Sequence, residues 1–124
     1  MTYNEAQEAL ARFPWLWARC QNLRANILHR YKAEHVSRKV SGYGDKTGRT
    51  AVKLLELADI ERRVKITGRF IEEGLPPEDR QLLINVWRGL PWRLIAEREG
   101  CSEWLTRLRW QAMVERLRAY AGRA

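Results

Sequence analysis

Hydrophobic side chains recur every three or four positions along most of the chain, which is the period of an α-helix with one buried face. Prolines and glycines separate these periodic stretches from one another. No stretch alternates apolar and polar residues cleanly over four positions or more, as a half-buried strand would. The pattern therefore predicts an all-α fold.

The first half of the chain is predicted to hold two long helices, over residues 1–34 and 50–74. The first of them either starts at Pro14 or is kinked there, because proline lacks the N–H that an interior helical turn needs. Residues 35–49 are basic and glycine-rich without an apolar period, and we expect a flexible loop there. The two apolar stripes suit an antiparallel pair or a coiled coil between chains. Their members are Leu10, Phe13, Trp17, Cys20, Ile27 and Tyr31, and Leu57, Ile60, Val64, Thr67 and Ile71.

Residues 75–124 have the strongest local organisation and are predicted to form three helices. Pro77 suits the first turn of a helix that ends at Gly89, and a short helix over 92–99 follows. Gly100 supplies the positive φ of a tight turn, and Ser102 is a good N-cap for a longer third helix. This order is that of a helix-turn-helix, although a plain helical bundle fits the same pattern.

Several short segments carry a resemblance to known transcription proteins. The last fifty residues resemble the fourth region of bacterial sigma factors, over Leu75–Arg80, Trp92–Glu97, Gly100–Ser102 and Met113–Leu117. The rest of the chain is similar to phage late-gene transcriptional regulators of the ArpU/RinA type, over Phe13–Trp15, Gly42–Thr47 and Ala51–Leu57. The resemblance implies a phage or prophage regulator that binds promoter DNA beside host RNA polymerase.

The third helix of this sigma-like head is the expected reader of DNA bases. If Ala96 and Gly100 define the turn, Glu99, Thr106 and Arg109 occupy positions where apolar residues are usual, so two helix registers are open. In both registers Leu105 and Leu108 are expected to face the core. The first register turns outwards Ser102, Glu103, Trp104, Arg107 and Gln111, and the second turns outwards Ser102, Glu103, Thr106, Arg107 and Trp110. Arginine can contact guanine through two hydrogen bonds, glutamine can contact adenine, and glutamate can accept from cytosine.

The net charge of +8 favours a polyanionic partner, and most of the excess lies outside the head. Residues 12–53 hold ten Lys or Arg against two acidic side chains, whereas residues 54–101 hold eight against nine. We expect contacts to the DNA backbone from the basic loop and from the head, by Arg38, Lys39, Lys46, Arg49, Arg93 and Arg118. A loop that is merely solvated explains its charge equally well.

Other classes of function find no support in the composition. Cys20, Cys101, His29 and His35 lack the paired spacing of zinc ligands, and no catalytic nucleophile motif or phosphate loop occurs. We therefore expect no metal, no cofactor, no small-molecule substrate and no enzymatic activity. No apolar run reaches the roughly 18 residues of a membrane span, and residues 1–11 lack the basic start of a signal peptide. The expected location is the cytoplasm.

These features together predict a sequence-specific regulator that binds double-stranded DNA as a homodimer. Two alternatives stay open. A phage small terminase subunit also combines a helix-turn-helix with oligomerising helices, and it would form large rings. A sigma-like module would instead bind RNA polymerase without reading DNA.

Overall fold

The computed structural model describes residues 1–36 and 45–123, with the side chains of residues 1–29 and 51–123, and it is all-helical. Its helices are α1 (Tyr3–Ala11), α2 (Phe13–Val36), α3 (Asp45–Glu73), α4 (Pro77–Trp87), α5 (Trp92–Glu99) and α6 (Glu103–Arg123). No strand occurs in these two ranges, so the all-α prediction is confirmed for the described chain. None of these helices combines the length and the apolar character that crossing a membrane requires.

Two helices occupy the region where one was expected. α1 ends at Ala11 and α2 begins at Phe13, with Pro14 in the first turn. A proline is tolerated there because the first N–H groups of a helix have no intrahelical acceptor. At the other end of α1 the hydroxyl of Thr2 accepts a hydrogen bond from the Glu5 N–H at 3.2 Å, which caps the helix.

The larger hydrophobic core joins the N-terminal helix to the C-terminal part of the chain. The indole Nε1 of Trp87 donates to the carbonyl of Leu10 at 2.8 Å, and Phe13 stacks on the same indole with ring centroids 6.0 Å apart. α1 is therefore fixed against α4–α6 and does not stand apart from them. The buried members of this core are Ala6, Ala9, Leu10, Phe70, Leu75, Leu82, Leu83, Ile95, Trp110, Met113, Val114 and Leu117.

α2 and α3 pack against each other in antiparallel directions. Phe13, at the start of α2, lies 3.5 Å from the point that a Cβ on Gly68 would occupy, near the end of α3. Further along α2, Cys20 and Leu23 pack on Ile60 in the middle of α3. These three residues are the buried part of a second, smaller core.

Ion pairs lie on the surface of this helical pair. Arg19 contacts Glu56 at 2.8 Å, and Arg24 contacts Glu61 at 2.6 Å. The hydrogen bond and the charge of Glu61 raise the pKa of Arg24. Trp17, which was expected on the buried stripe of α2, is instead 52% exposed. The buried stripe runs one position earlier than Trp17, through Leu16, Cys20 and Leu23.

α3 begins earlier in the chain than expected. The helix begins at Asp45, five residues before the expected start at residue 50, so Lys46 and Arg49 lie on helical backbone. The side chains of Lys46 and Arg49 lie outside the described residues. Arg38 and Lys39 lie outside the described residues altogether.

Candidate nucleic-acid interface

α4, α5 and α6 occupy the ranges that the caps and prolines indicated. Gly100 follows α5 with φ of 69°, in the left-handed region, and the Cys101 N–H bonds to the Ala96 carbonyl at 3.1 Å. The Ser102 hydroxyl then accepts from the Leu105 N–H at 3.1 Å, which caps α6. The direction in which α6 leaves the turn is thus set by local hydrogen bonds.

The buried side of α6 distinguishes the two registers. It carries Thr106 and Trp110, which are 0% and 4% exposed, followed by Met113, Val114 and Leu117. Thr106 donates from Oγ1 to the Ser102 carbonyl at 2.9 Å and lies 3.1 Å from the Cys101 thiol. The prediction of Thr106 and Trp110 as base-reading residues was wrong, because both side chains are buried inside the protein.

The residues of the other register lie on the exposed side of α6. Ser102, Glu103, Trp104, Arg107 and Gln111 are all exposed, and Trp104 is exposed by 72%. Three of them already have partners, since Arg107 donates to Glu103 at 2.7 Å and Ser102 caps the helix. Trp104 and Gln111 make no side-chain hydrogen bond within the described residues, and both are exposed to solvent.

Partly buried charges replace the apolar residues usual at positions 99 and 109. Arg109 contacts Glu99 at 3.3 Å and Asp79 at 3.6 Å, and it donates to the Glu78 carbonyl at 3.3 Å. Asn85, which is 1% exposed, lies 3.5 Å from Glu99 through its Nδ2. This cluster links α4, α5 and α6 through one arginine.

The electrostatics of the cluster keep its arginine charged. Partial burial lowers the pKa of Arg109, but the hydrogen bond and charge of Glu99, with smaller contributions from Cys101 and Asp79, raise it overall. Arg116 completes the cluster by contacting Asp79 at 3.1 Å from the solvent side. The sequence analysis did not predict this cluster. Glu99 and Arg109 occupy two positions where apolar residues are usual, and their opposite charges could have indicated that they pair with each other.

Leu105 and Leu108 were expected to face the core, and this prediction was wrong. They are 44% and 38% exposed, because the polar residues Thr106 and Arg109 take the inward positions next to them. Together with three other exposed side chains they form a row along the outward side of α6, which we call the outer stripe. Its members are Trp104, Leu105, Leu108, Ala112 and Ala119.

Further exposed arginines lie on α5, at the C-cap of α4 and towards the far end of α6. Arg93, on the first turn of α5, was predicted from the sequence, while Arg88 and Arg98 were not. None of these three forms an ion pair with a side chain in the described ranges. Arg118, the other predicted backbone contact on the head, is exposed and lies 3.8 Å from Glu115.

Comparison with known proteins adds no relative. No protein-family model matches this sequence, and neither curated proteins nor solved structures gave a significant match. Within the described residues no three His, Cys, Asp or Glu side chains are grouped as metal ligands would be.

Proposed function

We propose that the protein is a sequence-specific regulator of transcription that binds double-stranded DNA, with α4–α6 as a helix-turn-helix and α6 as its reading helix. The observation that supports this most is the exposed row of Trp104, Arg107 and Gln111 on a helix anchored to two others. Their spacing places them along about 10 Å of helix. The major groove of DNA is about 12 Å wide and admits one α-helix.

The chemistry of the row suits direct readout of bases. Arg107 would donate two hydrogen bonds to a guanine, Gln111 would pair with an adenine, and Trp104 would contact a thymine methyl group. Arg107 must first leave Glu103, its partner at 2.7 Å. An exposed pair at this helical spacing is worth about 0.3–0.5 kcal/mol, whereas a bidentate arginine–guanine contact is worth about 1–3 kcal/mol. The guanine contact is therefore the stronger of the two.

Contacts to phosphate would come from the arginines around the row. Arg93 and Arg98 are exposed on α5, Arg88 is the exposed C-cap residue of α4, and Arg118 lies two turns beyond Gln111. Arg38, Lys39, Lys46 and Arg49 are further candidates on the basic segment before and within the first turns of α3. Phosphate contacts release counterions, so affinity should fall with rising salt by a slope of about 0.9 per contact.

The test is selection of bound duplexes from a random pool with the full chain, followed by comparison of two variants on the selected and on random DNA. Arg107→Ala should weaken binding to the selected site about five- to 100-fold and relax the preference at one base pair. Arg93→Ala, the control, should weaken binding to all sequences alike. The reading role of Arg107 is refuted if Arg107→Ala acts equally on both DNAs. The whole proposal is refuted if no sequence is enriched and random duplexes are not bound.

The outer stripe supports a second candidate function, a sigma-like module that binds RNA polymerase and reads no DNA. Exposed apolar groups such as Leu105 and Leu108 are more typical of protein contacts than of a surface that faces phosphates. Mixing the chain with purified bacterial RNA polymerase and following co-migration in gel filtration tests this candidate. Binding that is lost in Leu108→Glu and kept in Arg93→Ala would support it.

A further inference from the structure

Glu103 places a carboxylate beside the exposed row of Trp104, Arg107 and Gln111. It lies in the first turn of α6, four residues before Arg107, and accepts a hydrogen bond from the Arg107 guanidinium at 2.7 Å. Neither side chain forms another ion pair within the described ranges, and the two are 44% and 55% exposed. The pair is therefore closed in the free protein, and a DNA duplex can reach it from solvent.

This pair cancels the charge of the reading row. Random DNA attracts a protein mainly through contacts between phosphates and cations, which release counterions. Arg107 can make such a contact only by leaving Glu103, and the carboxylate then stays unpaired beside a polyanion. Because like charges brought together lower affinity, Arg107 gains little from the phosphates of random DNA.

A suitable pair of neighbouring bases removes this penalty. Guanine accepts two hydrogen bonds from an arginine through O6 and N7, and the exocyclic amine of cytosine or adenine donates to a carboxylate. When both bases are present, Arg107 and Glu103 each exchange one partner for another. The carboxylate therefore costs affinity on DNA that lacks the donor and not on DNA that has it.

We propose that Glu103 is a specificity-determining residue, which withholds Arg107 from the phosphates of random DNA and releases it where bases provide partners for both side chains. This role rests on the proposed function, since it concerns how the same row tells one duplex from another. Specificity of this kind comes from a penalty on wrong partners as well as from contacts to the right one.

Fluorescence anisotropy of the full chain with a selected and a random duplex, over a range of salt concentrations, tests the role of Glu103. Glu103→Gln keeps the size of the side chain and removes its charge. It should bind random DNA about fivefold more tightly, with a salt slope steeper by about 0.9, because Arg107 gains one phosphate contact. The selected duplex should be bound no more tightly than before, so the ratio of the two affinities should fall about fivefold.

Glu115→Gln is the matched control, because it removes the same charge from an exposed acid of α6 that lies beside another arginine, Arg118, at 3.8 Å. It should change both affinities by the same factor and leave their ratio unchanged. A second control is Glu103→Gln in an Arg107→Ala background. There the gain on random DNA should disappear, since no arginine is left to be released.

Three results would overturn the role of Glu103. In the first, Glu103→Gln keeps the wild-type ratio of affinities. In the second, its gain on random DNA persists without Arg107, which would show a general effect of charge. In the third, only the selected duplex is bound more weakly, which would make Glu103 an ordinary base contact. A wild-type chain that prefers no sequence would instead refute the proposed function, and the role of Glu103 with it.

Discussion

The charged cluster between α4, α5 and α6 predicts that Arg109→Leu destabilises the fold. The hydrophobic pattern alone would predict the opposite, because leucine is the kind of residue usual at this position. Arg109 is 26% exposed and is held by Glu99 and Asp79, whose side chains are 12% and 14% exposed. Arg109→Leu leaves these two carboxylates close together without their shared cation. Removing one member of a buried pair costs about 3–5 kcal/mol, and partial solvent access reduces this to about 2–3 kcal/mol of unfolding free energy.

Substitution of the partner, Glu99→Leu, should lower the free energy of unfolding by less than Arg109→Leu does. Glu99→Leu leaves Arg109 with Asp79 and the Glu78 carbonyl, and it also removes the acceptor of the buried Asn85 amide. An orphaned polar group of this kind costs about 1–3 kcal/mol. We expect a total loss of about 2 kcal/mol for Glu99→Leu.

The double variant Glu99→Leu/Arg109→Leu should lose no more than about 1 kcal/mol, less than either single variant. Two leucines can pack where the ion pair was, and replacement of a whole buried pair by apolar residues is often neutral or stabilising. The remaining cost comes from the unpaired Asn85 amide and from Asp79, which keeps only Arg116 as its cation.

Urea denaturation followed by far-UV circular dichroism at neutral pH measures these differences. Arg93→Leu, at an exposed and unpaired position of α5, is the control and should change stability by less than about 0.5 kcal/mol. The interpretation fails if Arg109→Leu is as mild as this control. It also fails if the double variant loses the sum of the two single losses, because the residues would then act independently.

Two further predictions concern the turn before α6 and the alkaline stability of the fold. Gly100→Ala should cost about 1–2 kcal/mol because its φ is 69°, while no heavy atom lies within 4 Å of the added Cβ. Gly100→Asn should cost less in the same urea assay, and equal costs would contradict the argument from backbone strain. Burial and the hydrogen bond to Glu73 raise the pKa of Tyr120 above 10.0, so its contribution is present below about pH 10 and is lost as the pH rises through the raised value. The stability difference between wild type and Tyr120→Phe should therefore be constant near neutral pH and shrink above pH 10, and a difference that grows there would contradict the assignment.

The helix ends of the C-terminal part could be predicted because their causes are local. Pro77, Gly100 and Ser102 act through their own backbone or through neighbours three or four residues away. Which side of α6 is buried could not be predicted in the same way. Hydropathy assigns both Thr106 and Arg109 to solvent. Arg109 turns inward because of Glu78, Asp79 and Glu99, which lie on α4 and α5. Thr106 turns inward with local partners, the Ser102 carbonyl and the Cys101 thiol.

The N-terminal helix illustrates the same limit at longer range. Leu10, Phe13 and Trp17 keep a helical spacing across the break at Arg12, so periodicity alone suggests one continuous helix. The chain breaks there because Leu10 packs in the core with α4–α6, whereas α2 packs on α3. The choice between these two cores depends on contacts with residues roughly 40 to 110 positions away.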